Sequence, residues 1–277
     1  MIPGIDVSDN NGHVYWPSVA ASGKHFVIAK VSQGVSFRDP TFAYNYAQMR
    51  RVGMKRGGYH FADPTCNPVD EANLYVGIVK ANGGFEIRPI LDLEQTGGKT
   101  PAQLQAYARM WGYEVQRLTG FKPILYSYTS FIAENELHTI ADLFDLWLAD
   151  YSSQPDNGGW PREPLMWQYS DTGRVTGIQT DVDLDWCMGD LSSILVPQPP
   201  VKPSETLLRE GDTGERVKVL QTDLNKILHT HIAEDGDFGP ITEATVRAFQ
   251  CVAHISIDGV AGPQTFAAIE RYLKGDK

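Results

Sequence analysis

The sequence predicts an α/β protein: an irregular TIM-like β/α barrel followed by a small all-α domain of three helices. Three observations carry this. Eight strand-like segments recur before residue 195, several separated by helical spacing, and regular strand–helix alternation favours a parallel sheet that closes on itself. Four prolines then fall within ten residues, in VPQPPVKPSE, a composition that favours extended polyproline II and acts as a semi-rigid spacer. Beyond it lie three short turn-and-helix segments, two of which share the pattern D-G-x-x-G-P-x-T. The domains are therefore drawn at 1–195 and 206–277, with the proline-rich linker at 196–205.

Taken in order, GIDVS is a short strand and HFVIAKVSQG a second, rich in β-branched residues. TFAYNYAQMRRVG has helical spacing and stops at Gly53. KRGGYHFAD is a strand, PVDEANLYVGIVKANG a helix, and RPILDLEQT a strand. TPAQLQAYARMWGYEVQRLTG is the clearest helix: Thr100 can cap it, Pro101 takes the first helical position and Gly120 ends it. KPILYSYTS, LWLADYS, LMWQYSD and DVDLDWC follow as short strands without long helices between them, so fewer helices than strands are expected. In the last domain LREGDTGERVKVLQTDLNKI makes an amphipathic helix with Val217, Leu220, Leu224 and Ile227 on one face. The two repeats, Asp235–Thr242 and Asp258–Thr265, each read as a turn leading into a helix.

Composition excludes several classes. The chain has 277 residues with 42% hydrophobic content, enough for a sizeable core, and a formal net charge of −10. Such an acidic surface is repelled by nucleic acid and by anionic membranes. Three scattered cysteines form no disulfide framework and no CxxC site, and read as small buried thiols. The seven histidines lack HExxH-like spacing, so no metal and no cofactor are expected. No apolar run is long enough to span a bilayer, and the N-terminal MIPGIDVSDNNG has no signal-peptide pattern. A monomer is the expected state.

The chemistry gathers at strand ends. In RPILDLEQTGG, Asp92 and Glu94 alternate with Leu91 and Leu93, so the leucines face surrounding helices and the acids face the barrel axis near its C-terminal mouth. Other strands end in Asp6; in Tyr59, His60 and Phe61; in Tyr126 and Tyr128; in Trp147 with Asp150 and Tyr151; in Gln168; and in Asp183 and Asp185. Carboxylates for proton transfer, aromatic faces for sugar C–H surfaces and amides for hydroxyls make a carbohydrate site. Any one of these residues alone reads more simply as a cap or a packed side chain; their recurrence at several strand ends carries the argument. Asp185 is the least secure, and His60 alone reads as a hydrogen-bonded structural residue. Two residues along a strand span about 6.6 Å, between the roughly 5–5.5 Å of retaining and 6.5–9.5 Å of inverting carboxyl pairs, which leaves the stereochemistry open.

GIDVSDNNGHVYW, FVIAKVSQG, GGYHFA, PILDLE, ILYSYTSF, LWLADY and MWQYSDTGRVTGIQTDVDLD occur in that order, and together they resemble the glycoside hydrolase family 25 lysozymes, which are N-acetylmuramidases. The resemblance spans about residues 2–188. It departs where Asp185 stands in place of a common Asn, and where VSQG stands in place of TEG. It implies a groove at the strand C-termini and cleavage of the β-1,4 bond between N-acetylmuramic acid and N-acetylglucosamine. Glu94 matches the general acid, Asp92 its partner, which supports the substrate acetamide or a developing oxocarbenium ion, and Asp6 and Asp183 the two further carboxylates. Tyr59, Phe61, Tyr126, Trp147 and Gln168 are the expected substrate-binding residues. Residues 207–273 resemble the peptidoglycan-binding type 1 domains, with Asp235, Phe238 and Thr242 as weak candidates for wall contact. Both domains point to peptidoglycan as the partner, and the arrangement resembles a phage endolysin or a bacterial autolysin. The implied location is the host cytoplasm during synthesis and the bacterial cell wall after release. A lytic transglycosylase, which leaves an anhydro-sugar end, and a non-catalytic wall-binding protein are the alternatives weighed against it.

Overall fold

The computed structural model describes residues 1–197 and 207–275, in two compact units, Met1–Pro197 and Gln198–Lys277. Apart from its first two residues, the proline-rich spacer expected at 196–205 lies outside the described residues.

The first unit is a closed barrel. Its strands are β1 (Ile2–Val7), β2 (Phe26–Gln33), β4 (Lys55–Phe61), β5 (Ile90–Asp92), β6 (Ile124–Tyr128), β7 (Asp145–Ala149), β8 (Met166–Gly173) and β9 (Val182–Cys187). The order β1-β9-β8-β7-β6-β5-β4-β2 closes through pairing of β1 with β2. A two-residue strand β3 (Phe37–Arg38) folds back antiparallel on the end of β2. The crossovers carry α1 (Trp16–Ala21), α2 (Phe42–Arg51), α3 (Pro68–Ala81), α4 (Pro101–Thr119) and α5 (Thr129–Glu134).

The sheet departs from an all-parallel one at β9, which runs antiparallel to both β8 and β1. Only the loop at 174–181 joins β8 to β9. A connection that short returns the chain beside the strand it has left, whereas a parallel neighbour needs a crossover of a dozen residues or more. The helices form where local chemistry starts and stops them. Thr100 and Gln103 make a reciprocal capping box at the start of α4, and Gly120 ends it in the left-handed region at φ 77°. Asn67 caps α3 by accepting from the Val69 amide.

Alternation along each strand builds two apolar layers. Val27, Ala29 and Val31 of β2, Leu91 of β5, Leu125 of β6 and Leu146 and Leu148 of β7 pack outward against the helices. Phe26, Ile28, Ile90, Ile124, Trp147, Met166 and Cys187 fill the barrel interior. Gly4 is part of this fit, since a Cβ there would stand 2.3 Å from the Phe26 ring. Ile194 also lies in the interior cluster, and Val196 hydrogen-bonds to Glu86, so the end of the unit seals the barrel.

The second unit packs α6 (Glu215–Leu228), α7 (Pro240–Val252) and α8 (Pro263–Leu273) around Val217, Leu220, Leu224, Phe238, Val246, Phe249, Phe266 and Ile269. Its two repeats share one device. Gln221 Nε2 donates to Asp235 Oδ1 (2.8 Å), Asp237 O (3.0 Å) and Thr242 Oγ1 (3.1 Å), and Gln221 Oε1 accepts from the Gly236 amide. Gln250 repeats this with Asp258 Oδ1 (2.7 Å), Val260 O (3.0 Å), Thr265 Oγ1 (3.1 Å) and the Gly259 amide. Phe238 and Thr242 are buried and build the repeat, whereas Asp235 is exposed, with its Oδ1 held by Gln221. Of the three free cysteines only Cys187 is buried; Cys66 is half-buried and Cys251 is exposed on α7.

Candidate active site

The C-terminal strand ends converge on one cavity of about 190 Å³, lined by Asp6, Ser8, Asn10, Lys30, Tyr59, Phe61, Asp92, Glu94, Tyr126, Trp147, Gln168 and Asp183. All nine residues expected from the sequence lie on it. Glu94 and Tyr126 also line an adjoining cavity of about 440 Å³ with Tyr128 and Tyr151, and Asn10 lines a third of about 600 Å³ with Asn11, His13, Tyr15 and Gln179. The cleft therefore continues to either side of the acids.

Register explains the convergence. Phe61, Asp92 and Tyr126 are successive partners across β4, β5 and β6, and Asp6 pairs with Asp183 across β1 and β9. Strand β5 is shorter than expected and ends at Asp92. Glu94 stands two residues past it, where Leu93 keeps the course of the strand by donating to Tyr126 O and accepting from Ser127 Oγ. Asp92 is buried and Glu94 is half-buried, so the pair differs in depth.

A hydrogen-bond chain orders the opposite wall. The Tyr126 and Tyr151 hydroxyls each donate to Gln168 Oε1 at 2.8 Å, and Gln168 Nε2 donates to Asp6 Oδ2 at 2.8 Å. Trp147 presents little surface to the cavity; its ring packs edge-on to Tyr126, and its Nε1 donates to Asp185 Oδ1 at 3.0 Å. Asp185 is fully buried beneath the cleft rather than solvated, and its Oδ2 has no hydrogen-bond partner. Asp92 Oδ1 is likewise buried without a partner. Asp150 is a loop organiser, accepting from the amides of Ser152 and Asp156 and from Thr129 Oγ1. His60 faces away from the cleft. It lies behind the barrel wall, between Ser32 Oγ at 2.9 Å from Nδ1 and Glu71 at 3.5 Å from Nε2, and Glu71 also accepts from the Tyr107 hydroxyl.

Electrostatics in the cleft favour retained protons. Burial first, then the charges of Asp185 and Asp183, push the Asp6 carboxyl well above the usual range, against the Gln168 hydrogen bond. Burial and then Glu94 do the same to Asp92, opposed by Lys30. Burial raises Glu94, against the Tyr126 hydroxyl, and burial lifts Asp183 to about 6. Clustered carboxylates in a closed site cannot all ionise, so some keep their protons near neutrality.

The sequence reading missed Ser8, Asn10 and Lys30. Ser8 directly follows β1 and Asn10 lies in the short helical turn Asp9–Asn11, where no alternation signal reaches; Lys30 follows the inward parity of Phe26 and Ile28 and was legible by that rule.

A closed β/α barrel with an acid-lined cleft at the C-terminal ends of its strands has the architecture and the carboxylates that a glycoside hydrolase uses. The chain matches the glycosyl hydrolases family 25 over residues 5–178 and a putative peptidoglycan binding domain over residues 213–269. It belongs to glycosyl hydrolases family 25. The autolytic lysozyme of Clostridium acetobutylicum is 29% identical over 270 residues, covering 97% of this chain and 78% of that protein. The bacterial lysozyme from Streptomyces coelicolor superposes with a TM-score of 0.65 at 26% identity, covering 70% of this chain and 94% of that one. The CTP1L endolysin gives a TM-score of 0.58 at 26% identity, covering 68% and 67%. Among the described residues no helix is long and apolar enough to cross a membrane.

Proposed function

We propose that the chain is a lysozyme that hydrolyses the β-1,4 bond between N-acetylmuramic acid and N-acetylglucosamine in peptidoglycan, with Glu94 as the general acid and Asp92 as its charged partner. The observation that carries the residue assignment is the difference in depth between two acids on one cavity: Glu94 half-buried at the meeting of two cavities, Asp92 buried below it. Burial raises the Glu94 carboxyl, which favours the protonated form that can pass its proton to the glycosidic oxygen as the C–O bond breaks. In the resting cleft the Asp92 charge is disfavoured by the same burial. Positive charge developing at the anomeric carbon, or a polarised acetamide, favours the ionised form, so this interaction is strongest in the transition state. Asp6 and Asp183 close the charge cluster. Gln168 fixes Asp6 and the two tyrosines, and Tyr59, Phe61 and Tyr126 supply apolar and hydroxyl contacts to sugar rings. Water then completes hydrolysis and leaves a reducing end.

The second unit holds the enzyme on the wall, so that each release leaves the cleft near fresh substrate. The whole chain thereby acts as a wall-lysing enzyme of the endolysin or autolysin kind. The test uses Glu94→Gln. The variant is expected to lose roughly 10²–10⁴-fold in the rate of turbidity loss of a wall suspension while still sedimenting with walls. Mass spectrometry of wild-type digests should find reducing muramic acid ends; anhydro ends would make the enzyme a transglycosylase. Normal clearing by Glu94→Gln would remove the assigned acid. A chain ending at Pro197 keeps the residues that seal the barrel, and is expected to cut soluble glycan normally and intact walls more slowly.

A further inference from the structure

Among the described residues lining the acid cleft, Lys30 is the one cation, and it shares that cavity with Asp6, Asp92, Glu94 and Asp183. Alternation puts it there, because Val27, Ala29 and Val31 of β2 take the helix-facing side. Its Nζ stands 4.9 Å from the centre of the Phe61 ring and 5.4 Å from that of Phe37. It donates to Gln33 Oε1 at 2.9 Å. Strand β3 serves this arrangement: pairing of Phe37 with Gln33 brings one ring of the clamp beside the amide.

The clamp fixes an ammonium without neutralising it. Ring faces and an amide oxygen attract a cation and carry no net negative charge, so the full charge of Lys30 remains available to the carboxylates. A long side chain with many rotamers is also restrained in one place. We propose that Lys30 is a positioning residue for the acid pair: its fixed charge supports the ionised form of Asp92, and the neutrality of Gln33 leaves that charge undivided. The inference rests on the roles given above to those two acids. Around them stand Asp6 from β1, Tyr59 from β4, Tyr126 from β6 and Asp183 from β9, and the carboxylates of Glu94 and Asp183 work against a charge on Asp92. Lys30 lowers both Asp92 and Glu94 against the upward push of burial. Without it both carboxyls keep their protons to higher pH, and Asp92 loses the charge that the transition state needs.

The experiment follows kcat and KM across pH on soluble glycan fragments, in the full chain carrying Lys30→Met, Lys30→Arg or Gln33→Glu. For Lys30→Met both limbs of the pH profile are expected to move to higher pH. At the wild-type optimum kcat should fall roughly tenfold, with KM changed by less than about twofold. Lys30→Arg should restore the profile. Gln33→Glu leaves Lys30 in place and pairs it with an acid, so it should move the limbs in the same direction by less; it also decides the matter if Lys30→Met does not fold. An unmoved profile in Lys30→Met and Gln33→Glu would overturn the proposal, and so would a rise in KM alone, which would make Lys30 a grip for an anionic group of the substrate. An active Glu94→Gln would instead remove the acid assignment on which the inference stands, so the two failures are distinguishable.

Discussion

The barrel mouth and the repeat loops of the second unit both hold aspartates next to buried glutamines, and they treat them in opposite ways. In the repeats, Gln221 and Gln250 sit at the centre of complete sets of hydrogen bonds. Asp235 and Asp258 accept from backbone amides and from those glutamines, and are held below the usual carboxylate range. At the mouth, Gln168 reaches only one acid, while Asp92 and Asp185 each keep a buried oxygen without a partner, and burial pushes the cluster upward. Satisfied acids in turns stabilise a shape. Acids crowded at closing strand ends are unstable in the resting protein and available for chemistry.

That contrast can be broken most forcefully at the repeats. Gln250→Ala removes the donor to Asp258, Val260 and Thr265 together and strands the Gly259 amide, all at a buried position. A loss of about 2–4 kcal/mol of local stability is expected. Amide hydrogen exchange should quicken in α7 and α8 and remain unchanged in the barrel strands. Protection left intact in α7 and α8 would mean that the repeats stand on their apolar core alone.

The mouth should respond in the other direction. Asp185 lies under Trp147 with one oxygen unpartnered and Asp183 pressing on it. Asp185→Asn keeps an acceptor for the indole and removes the cost of burying an ionisable carboxyl, so it is expected to stabilise the protein by about 1–2 kcal/mol at pH 7. The melting point of the barrel unit should rise by a few degrees. A lower melting point would show that the charge is compensated in the cleft after all.

The same contrast explains which parts of the molecule were legible in its sequence. Alternation in PILDLE separates Leu91 from Asp92 by face, and the structure keeps that separation, so the acid-bearing strand ends could be read residue by residue. The direction of β9 could not, because DVDLDWC alternates equally well in a parallel or an antiparallel strand and only the short loop before it decides. Asp185 was ambiguous for a related reason: parity places it inward, but parity does not say that Trp147 closes over it. Phe238 and Thr242 lie in the core of the repeat instead of on its surface, because a turn signature records where the chain bends and not which side chains the bend buries. Lys30 was legible by parity and passed over, since a lysine in an apolar strand does not announce the two rings that hold it.

The smallest effect gives the sharpest form of the comparison, because the two regions should answer pH with opposite signs. Asp183 is lifted from 3.8 to about 6 in the folded protein, so the fold binds that proton more tightly than the unfolded chain does. Its contribution to stability is complete below about pH 4 and is lost as pH rises through about 6. Asp258 and Asp235 are lowered, so their contribution is present above the ordinary carboxylate range and is lost as pH falls. Between pH 4 and 7 the barrel should lose about 1 kcal/mol through Asp183, after allowance for screening in a partly open cleft, and Asp183→Asn should remove that loss. Exchange of amides resolved by peptide, corrected for the intrinsic pH dependence, would follow each unit in the intact chain. The mouth strands should gain protection on acidification while the repeat loops give it up. Parallel slopes in the two regions would mean that the acids of the mouth are as well satisfied as those of the repeats, and the basis for placing the chemistry there would go with them.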